Sequence, residues 1–498
     1  MTQAFAAGLL SEGYRVRQIL PGRAVKKMSA TVYEAPLHEA SSVKQLHELV
    51  SSAEGASVGV MINFLCLSEP YRQPGLPDPA MALKLTQSLF HMLQEFSGEL
   101  TKSAEQGGGM VLNLTALNGK LGIDGGDQMS LCGAGTLGLC KTFRQEYPAV
   151  TVKTVDLDPA VPPAMLASQL ADELTIPDHL QEVGISARGR TAVQLNLAEP
   201  HRSQLQQLPI EDGSVLLITG GADGITADIA LALAGRAKCN LILAGRSALP
   251  DEESSNTSSL TEGELRKHLI QSSRGSGKPL APAQIEQTLK KMLKERRILK
   301  NLATMRALGA TVEYHSVDVR NPADFGGLID QLYAQYGKID GVLHGAGVIE
   351  DKLMRDKTQE SYAKVFSTKV DSAVILAKKL RPESLKFCVF FSSIAGRFGN
   401  VGQSDYSAGN EFLNKLAQDL DRRWPGRVVA VNWGPWDAGM VSDELRKIYE
   451  SRRMYLIPVA DGVSRMEQEL RMNGQARPEV LISCSVPVMV EVFSGAGR

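Results

Sequence analysis

The sequence predicts an α/β fold: a doubly wound parallel sheet, present twice in tandem, with only the second copy equipped for a cofactor. Three observations carry this expectation. Short apolar runs alternate with helical patterns through residues 214–436, as they do when a parallel sheet is covered on both faces. A glycine-rich turn joins the first of those strands to its helix. The earlier part of the chain repeats the later part of that rhythm but has no such turn.

The second half sets the pattern. "SVLLITGG" (214–221) reads as a buried strand entering a glycine turn, and "ADIALALAG" as the helix that follows. "NLILAGRS", "TVEYHSVDV", "IDGVLHGAG", "FCVFFSS" and "RVVAVNWGPW" read as strands two to six. In the first half, "SVGVMINFLCL" resembles the fourth strand and "GMVLNLTALNGKLG" the fifth. Aligning Ala134-Gly135 with Ala408-Gly409 sets Cys132 opposite Tyr406 and Thr136 opposite Asn410, and Ala116 falls opposite Ser393. The repeat keeps the packing pattern and loses the polar side chains. Residues 1–208 are therefore expected to be a structural, cofactor-free, Rossmann-like subdomain, and 209–498 a catalytic one. The polar "EPHRSQLQQLPIEDGS" reads as the linker. "AFAAGLLSEGYRVRQIL" reads as a helix and then a strand, and so abrupt a start suggests a piece of a larger polypeptide.

Composition narrows the classes. The chain has 498 residues, too many for one core. Hydrophobic content of 43% and charged content of 22% are ordinary for a soluble globular protein. The net charge of −1 implies no general attraction to nucleic acid or membranes. The six cysteines (Cys66, Cys132, Cys140, Cys239, Cys388, Cys484) include no Cys-x-x-Cys pair, which argues against a zinc site and fits a reducing cytoplasm. No signal peptide or bilayer-length apolar run is visible; "VGVMINFLCL" is far too short.

The cofactor end is read from strand ends. In "TGGADGIT" (219–226), Gly220, Gly221, Asp223, Gly224 and Ile225 lie where a strand feeds a helix. Glycines there let the backbone approach a pyrophosphate, and the helix N-terminus faces its charge. Thr226 replaces the usual third glycine. Arg246 and Ser247 end the second strand, where a carboxylate would favour NAD; a guanidinium instead suits the 2′-phosphate of NADPH. Asp318 and Val319 are expected to flank the adenine. His344, Gly345, Ala346 and Gly347 leave room for the ribose, and Pro435 lies near the nicotinamide.

Many nicotinamide reductases carry Tyr-x-x-x-Lys, in which the lysine makes the tyrosine a usable acid. Here Tyr406 is followed four positions later by Asn410. The segments "TGGADGIT", "HGAGVIEDK", "VFSTKVDSA", "FFSSIAGRFGNVGQSDYSAGNEF" and "VNWGPWDAGMV" resemble, in this order and spacing, the ketoreductase domain of modular polyketide and polyunsaturated-fatty-acid synthases, a branch of the short-chain dehydrogenase/reductases. The first half resembles the structural subdomain that precedes such domains. The resemblance implies that the lysine enters from upstream, as Lys369 in "STKVDSA", 24 residues before Ser393. It implies Tyr406 as proton donor and Ser393 as hydrogen-bond donor to the substrate oxygen. Lys369 would supply the cation and hold the ribose, and Asn410 would hold a water and position Lys369.

The same resemblance bears on product configuration. A Leu-Asp-Asp motif marks one stereochemical class; here it reads Ile349-Glu350-Asp351, keeping Asp351. A tryptophan eight residues before the tyrosine marks the other class, and Phe398 stands there. The implied product is B-type, a D-configured 3-hydroxy group. A lid is expected over about 437–458, where Met440 and Val441 either touch the acyl chain or pack as ordinary helix residues. A helical insertion over about 250–308 opens with a Ser/Glu/Asn-rich stretch expected to be mobile. Its helix carries Ile285, Leu289, Met292 and Leu293 on one side and Lys290, Lys291, Lys294, Arg296, Arg297 and Lys300 on the other. The basic side is a solvated face or a docking surface for an acidic acyl carrier protein.

The resulting expectation is an NADPH-dependent β-ketoacyl reductase acting on a thioester held by an acyl carrier protein. It would be cytoplasmic, part of a larger synthase, metal-free, and monomeric as an isolated piece. The rival readings are a free-standing reductase of small ketones and a non-catalytic scaffold.

Overall fold

The computed structural model describes residues 2–51, 57–127, 129–176, 178–197, 205–249, 256–275, 280–438, 446, 447, 450, 451, 454–472 and 476–485. Met440 and Val441 lie outside the described residues, as does most of the segment read as a lid.

The first half opens with α1 (Thr2–Ser11) and a small sheet of β1 (Gln18–Pro21), β2 (Lys26–Lys27) and β3 (Val32–Ala35), followed by α2 (Ala40–Ser51). A five-stranded sheet comes next: β4 (Val60–Asn63), β5 (Met110–Thr115), β6 (Thr151–Leu157), β7 (Glu182–Ser186) and β8 (Gly189–Ala192), side by side in chain order. Only β8 runs antiparallel to its neighbour. The helices between these strands are α3 (Pro79–Ala104), α4 (Ala134–Glu146) and α5 (Pro163–Glu173).

The second half holds a seven-stranded parallel sheet in the order β11-β10-β9-β12-β13-β14-β15. Its strands are β9 (Val215–Thr219), β10 (Asn240–Gly245), β11 (Thr311–Ser316), β12 (Gly341–His344), β13 (Phe387–Ser393), β14 (Arg427–Trp433) and β15 (Glu479–Ile482). The order reverses between β9 and β12, which opens a crevice at their carboxyl ends. β9 and β14 are buried along their whole length, as expected of strands covered on both faces. The helices are α6 (Gly224–Ala234), α7 (Glu262–Gly275), α8 (Pro282–Ala307), α9 (Pro322–Tyr336), α10 (Gln359–Lys379), α11 (Ile394–Phe398), α12 (Ser404–Arg423) and α13 (Val459–Leu470).

Two elements depart from the sequence reading. The stretch expected to be mobile leads into α7, whose Leu265 is buried against the inserted α8. β15, a seventh strand, had no apolar run long enough to announce it; it pairs with β14 from Ala430–Glu479 to Trp433–Ile482.

The halves meet helix on helix. α4 packs on α12 and α3 on α10. Gly138 makes the first contact possible, because a Cβ there would overlap the Ser407 carbonyl. Inside that interface lie Lys141, Glu182, Arg397, Glu411, Lys415 and Glu479. Lys141 stands 2.9 Å from Glu182 and 3.3 Å from Glu411; Lys415 stands 3.1 Å from Glu411; Arg397 pairs with Glu182. Burial pushes the Glu182 carboxyl up, but the cations of Arg397, Lys141 and Lys415 overcome it and hold it low. Three cations and three carboxylates balance, so the cluster tolerates burial that would expel any one member.

Candidate active site

The glycine turn has the shape a pyrophosphate needs. Gly220 (φ +72°) and Gly224 (φ +66°) both adopt backbone that favours glycine. A Cβ on Gly220 would press on the Gly345 backbone, whereas one on Gly224 would meet open space. Gly345 packs on Thr226, which occupies the place of the third glycine; a Cβ on Gly345 would overlap its hydroxyl. Ala346 and Gly347 follow at the end of β12, and Ala346 N–H donates to the Thr219 hydroxyl at 3.2 Å. Val319 is buried in the core, so only its backbone can face the crevice.

Charges at this end are arranged less simply than the sequence suggests. Arg246 is exposed at the end of β10. Asp318 accepts three bonds from the Arg320 guanidinium, the shortest 2.6 Å. The Arg320 bond holds the Asp318 carboxyl below its usual range. Asp223 is bound bidentately, at 3.0 Å and 3.0 Å, by Arg297 of the inserted helix. Asn301, one turn on, donates to the Ala222 carbonyl at 3.0 Å. Arg296 faces the other way and binds the Leu260 and Thr257 carbonyls, both at 2.7 Å. Arg296 and Arg297 are thus engaged within the chain rather than aligned with the lysines of a solvated basic face.

His344 corrects another expectation. It is fully buried, held between the Thr219 hydroxyl (2.8 Å) and the Ser372 hydroxyl (3.0 Å). Burial lowers its imidazole to about 3, so the ring is neutral. It braces the crevice from beneath and does not line it. Pro435 lies after β14, where its carbonyl accepts from Ile457 N–H at 2.8 Å.

The residues expected to do chemistry come together. Lys369, on α10, is buried; its Nζ donates to the Phe391 carbonyl at 2.7 Å and lies 5.6 Å from the centre of the Tyr406 ring. Its methylenes pass Gly347 and Gly409, where side chains would crowd them. Burial lowers the Lys369 ammonium to about 7. Tyr406 lies on the first turn of α12 and is only partly buried. Ser393 ends β13 and caps α11, its hydroxyl accepting from Ala395 N–H at 3.2 Å. Ser392 points into the core instead and donates to Asn432 Oδ1 at 3.1 Å. Asn410 is buried; its amide donates to the Tyr406 carbonyl at 2.8 Å, while its Oδ1 has no partner among the described residues.

The loop after β12 is tied down. Glu350 accepts from the Ser361 hydroxyl at 2.7 Å and pairs with Lys364. Asp351 accepts from Gln403 at 3.1 Å. Lys357, fully buried, donates to the Glu350 carbonyl at 2.9 Å and pairs with Asp405 at 2.7 Å. Phe398 is half-buried, and its carbonyl accepts from Gln145 at 2.9 Å. Lys357, Asp405 and the supporting residues of α4 escaped the sequence reading. A lysine and an aspartate set 48 positions apart carry no local signal of pairing.

Among the described residues there is no cluster of His, Cys, Asp and Glu able to hold a metal, and no helix long and apolar enough to cross a membrane.

Comparison with known proteins fits this geometry. Residues 214–438 match the KR domain family. The chain is 31% identical over 428 residues to a polyunsaturated fatty acid synthase polypeptide of Thraustochytrium sp., covering 81% of this chain and 15% of that protein. It is 31% identical over 245 residues to the polyketide synthase PksN of Bacillus subtilis, covering 47% of this chain and 4% of that one. It therefore spans a small fraction of the length of these relatives. Among solved structures, an N-terminal ketoreductase from the macrolactin assembly line aligns with a TM-score of 0.71 at 20% identity, covering 99% of this chain and 86% of that one. A ketoreductase domain from the bacillaene assembly line aligns with a TM-score of 0.64 at 20% identity, covering 88% and 95%. At those identities the likeness is one of fold.

Proposed function

Since residues 214–438 belong to the KR domain family, we propose that the chain is an NADPH-dependent β-ketoacyl reductase. Its substrate is a 3-oxoacyl thioester carried on an acyl carrier protein, and its product is the 3-hydroxyacyl thioester. The observation that carries the reading is the convergence of Lys369, Ser393, Tyr406 and Asn410 beside a glycine-built crevice.

The residues present fit a dinucleotide. Gly220, Gly221 and Gly224, with the α6 N-terminus, would hold the pyrophosphate. Exposed Arg246, beside Ser247, would take the 2′-phosphate. Gly345, Ala346, Gly347 and Lys369 would hold the nicotinamide ribose. When bound, NADPH supplies the hydride for the carbonyl carbon. Tyr406 Oη donates the proton to the carbonyl oxygen. A phenol is a weak acid near neutral pH, and the Lys369 ammonium favours its phenolate. Ser393 Oγ donates a hydrogen bond to the same oxygen as charge develops there. The free Asn410 Oδ1 anchors a water through which the phenol regains its proton.

Asp351, together with Phe398 where the other stereochemical class has tryptophan, supports a D-configured product. That the relatives are polyketide and polyunsaturated-fatty-acid synthases supports partnership with the other domains of a larger synthase. The test is NADPH consumption with a 3-oxobutyryl or longer 3-oxoacyl thioester, with chiral separation of the alcohol. No turnover with carrier-bound substrate overturns the reading. L-configured alcohol overturns only the configuration.

A further inference from the structure

The first half of the chain reaches the loops around the candidate active site through one carboxylate. Glu146 ends α4, and its two oxygens bind two different loops of the other half. Oε2 accepts from Met354 N–H at 2.7 Å, on the loop that follows β12. Oε1 accepts from Gly402 N–H at 2.9 Å, on the turn that leads into Tyr406. Charge-assisted bonds of this kind are among the stronger polar contacts.

The two loops are otherwise joined by few bonds. Lys352 N–H donates to the Gly402 carbonyl at 3.0 Å, and Gln403 reaches Asp351. Gln94, on α3, holds the first loop from the far side, donating to the Met354 carbonyl at 2.9 Å and the Lys357 carbonyl at 3.2 Å. Lys357 then passes the constraint to Asp405, whose Oδ1 accepts from Tyr406 N–H at 2.8 Å. The chain of links ends at Asp405, the residue next to Tyr406. Gln94 and Glu146, which anchor it, both belong to the first half of the chain.

We propose that Glu146 is a positioning residue for the reduction: by bridging the loop that bears Glu350 and Asp351 to the turn that presents Tyr406, it sets the substrate entrance and the carbonyl face offered to the hydride. This rests on the reductase reading above. Glu146 touches no reacting atom; it acts through the loops it holds.

The experiment uses the full chain with a soluble 3-oxoacyl thioester mimic and NADPH, comparing the parent with Glu146→Ala and Glu146→Gln. KM, kcat, product configuration and Tm are read for each. Glu146→Ala is expected to raise KM by about tenfold and the minor alcohol by about tenfold, with a smaller change in kcat. Glu146→Gln keeps an acceptor oxygen for one loop and is expected to fall between. Should Glu146→Ala fail to fold, Gln94→Ala removes the opposite anchor and is read the same way. Parental KM and product configuration in folded variants overturn the proposal. So does a loss of rate that tracks only the loss of folded protein. A parent that reduces neither the mimic nor a carrier-bound 3-oxoacyl thioester sinks the reductase reading itself, whereas an active parent with indifferent variants sinks only this inference.

Discussion

Three neighbouring strands of the five-stranded sheet pair in the same register as three of the seven-stranded one, and the comparison separates packing from chemistry. Val60, Met110 and Thr151 pair across β4, β5 and β6 as Gly341, Phe387 and Arg427 pair across β12, β13 and β14. Counting along from there sets Thr115 opposite Ser392, Ala116 opposite Ser393 and Asp156 opposite Asn432. The equivalent bonds recur: Thr115 donates to Asp156 at 2.8 Å, and Ser392 to Asn432 at 3.1 Å. One residue further, the halves part. Ala116 is buried and offers no donor, whereas Ser393 is half-open with a hydroxyl. Cys132 is buried, its thiol pushed by burial up to about 12, where Tyr406 stands open in the other half. Thr136 gives its proton to the Gly133 carbonyl at 2.7 Å and accepts from Asn113 at 2.9 Å, so it is satisfied where Asn410 is not. Asp156 also accepts from the Leu117 and Leu121 amides at 2.6 Å and 2.7 Å, tying down the loop that follows β5. The hydrogen-bonded frame is thus shared, and the halves differ in the side chains at the positions matched to Ser393, Tyr406 and Asn410.

The comparison can be broken most sharply at Tyr406. Tyr406→Phe makes that position as inert as Cys132 and should cut kcat by about 10³-fold, within the usual range for a general acid. NADPH oxidation measures this, and a parental rate would contradict the assigned role.

Lys369→Met tests whether function is held at the expense of stability. It should lower kcat by about 10²-fold. It should also raise Tm by a few degrees at pH 6, with the gain shrinking toward pH 10. The sign follows from burial: Lys369 holds its proton less tightly folded, at about 7, than unfolded. The unfolded chain thus binds more protons between those values, and stability rises with pH through that window. Below pH 7 the burial penalty is fully present. A variant with lower Tm at pH 6 would contradict this account of the ammonium.

The interface charges sharpen the comparison from the other side. Glu182→Gln leaves Lys141 and Arg397 short of a carboxylate and should lower stability by roughly 3 kcal/mol, as removal of one buried partner does. Thermal or urea unfolding reads it, and an unchanged midpoint would show that the cluster contributes nothing. The smallest effect concerns the dinucleotide. Arg246→Ala should narrow the preference for NADPH over NADH by about tenfold, one charge-assisted contact's worth. Equal loss with both cofactors would move the 2′-phosphate elsewhere.

Much of the frame is legible in the sequence because burial writes itself as apolar runs. "FCVFFSS" became β13 with its ends in place, and the inserted helix began at Pro282 as its spacing implied. The charged groups are a different matter. Nothing in the sequence singles out Lys141, Arg397 and Lys415; apart from Glu411, one turn before Lys415 on α12, their carboxylate partners lie far away in sequence, on β7 and β15 or across the helix interface. Asp223 likewise reads as a crevice residue, but its partner Arg297 lies 74 positions away on a helix that shorter relatives of the pattern would not carry. His344 ends a strand at a cofactor crevice and yet turns inward, because Thr219 and Ser372 offer it hydroxyls there. Spacing locates a backbone position; it does not say which way a polar side chain turns.

The near-contact of Gly138 with the Ser407 carbonyl has a practical corollary for grafting. Two backbones that meet without room for a methyl group cannot be re-paired with a foreign helix at random. A transplant that begins at residue 214 would also strip Lys415 and Glu411 of their cover and set charge where a neighbour used to be. Whoever moves this reductive unit into another chain should cut upstream of both sheets and carry them across as one piece.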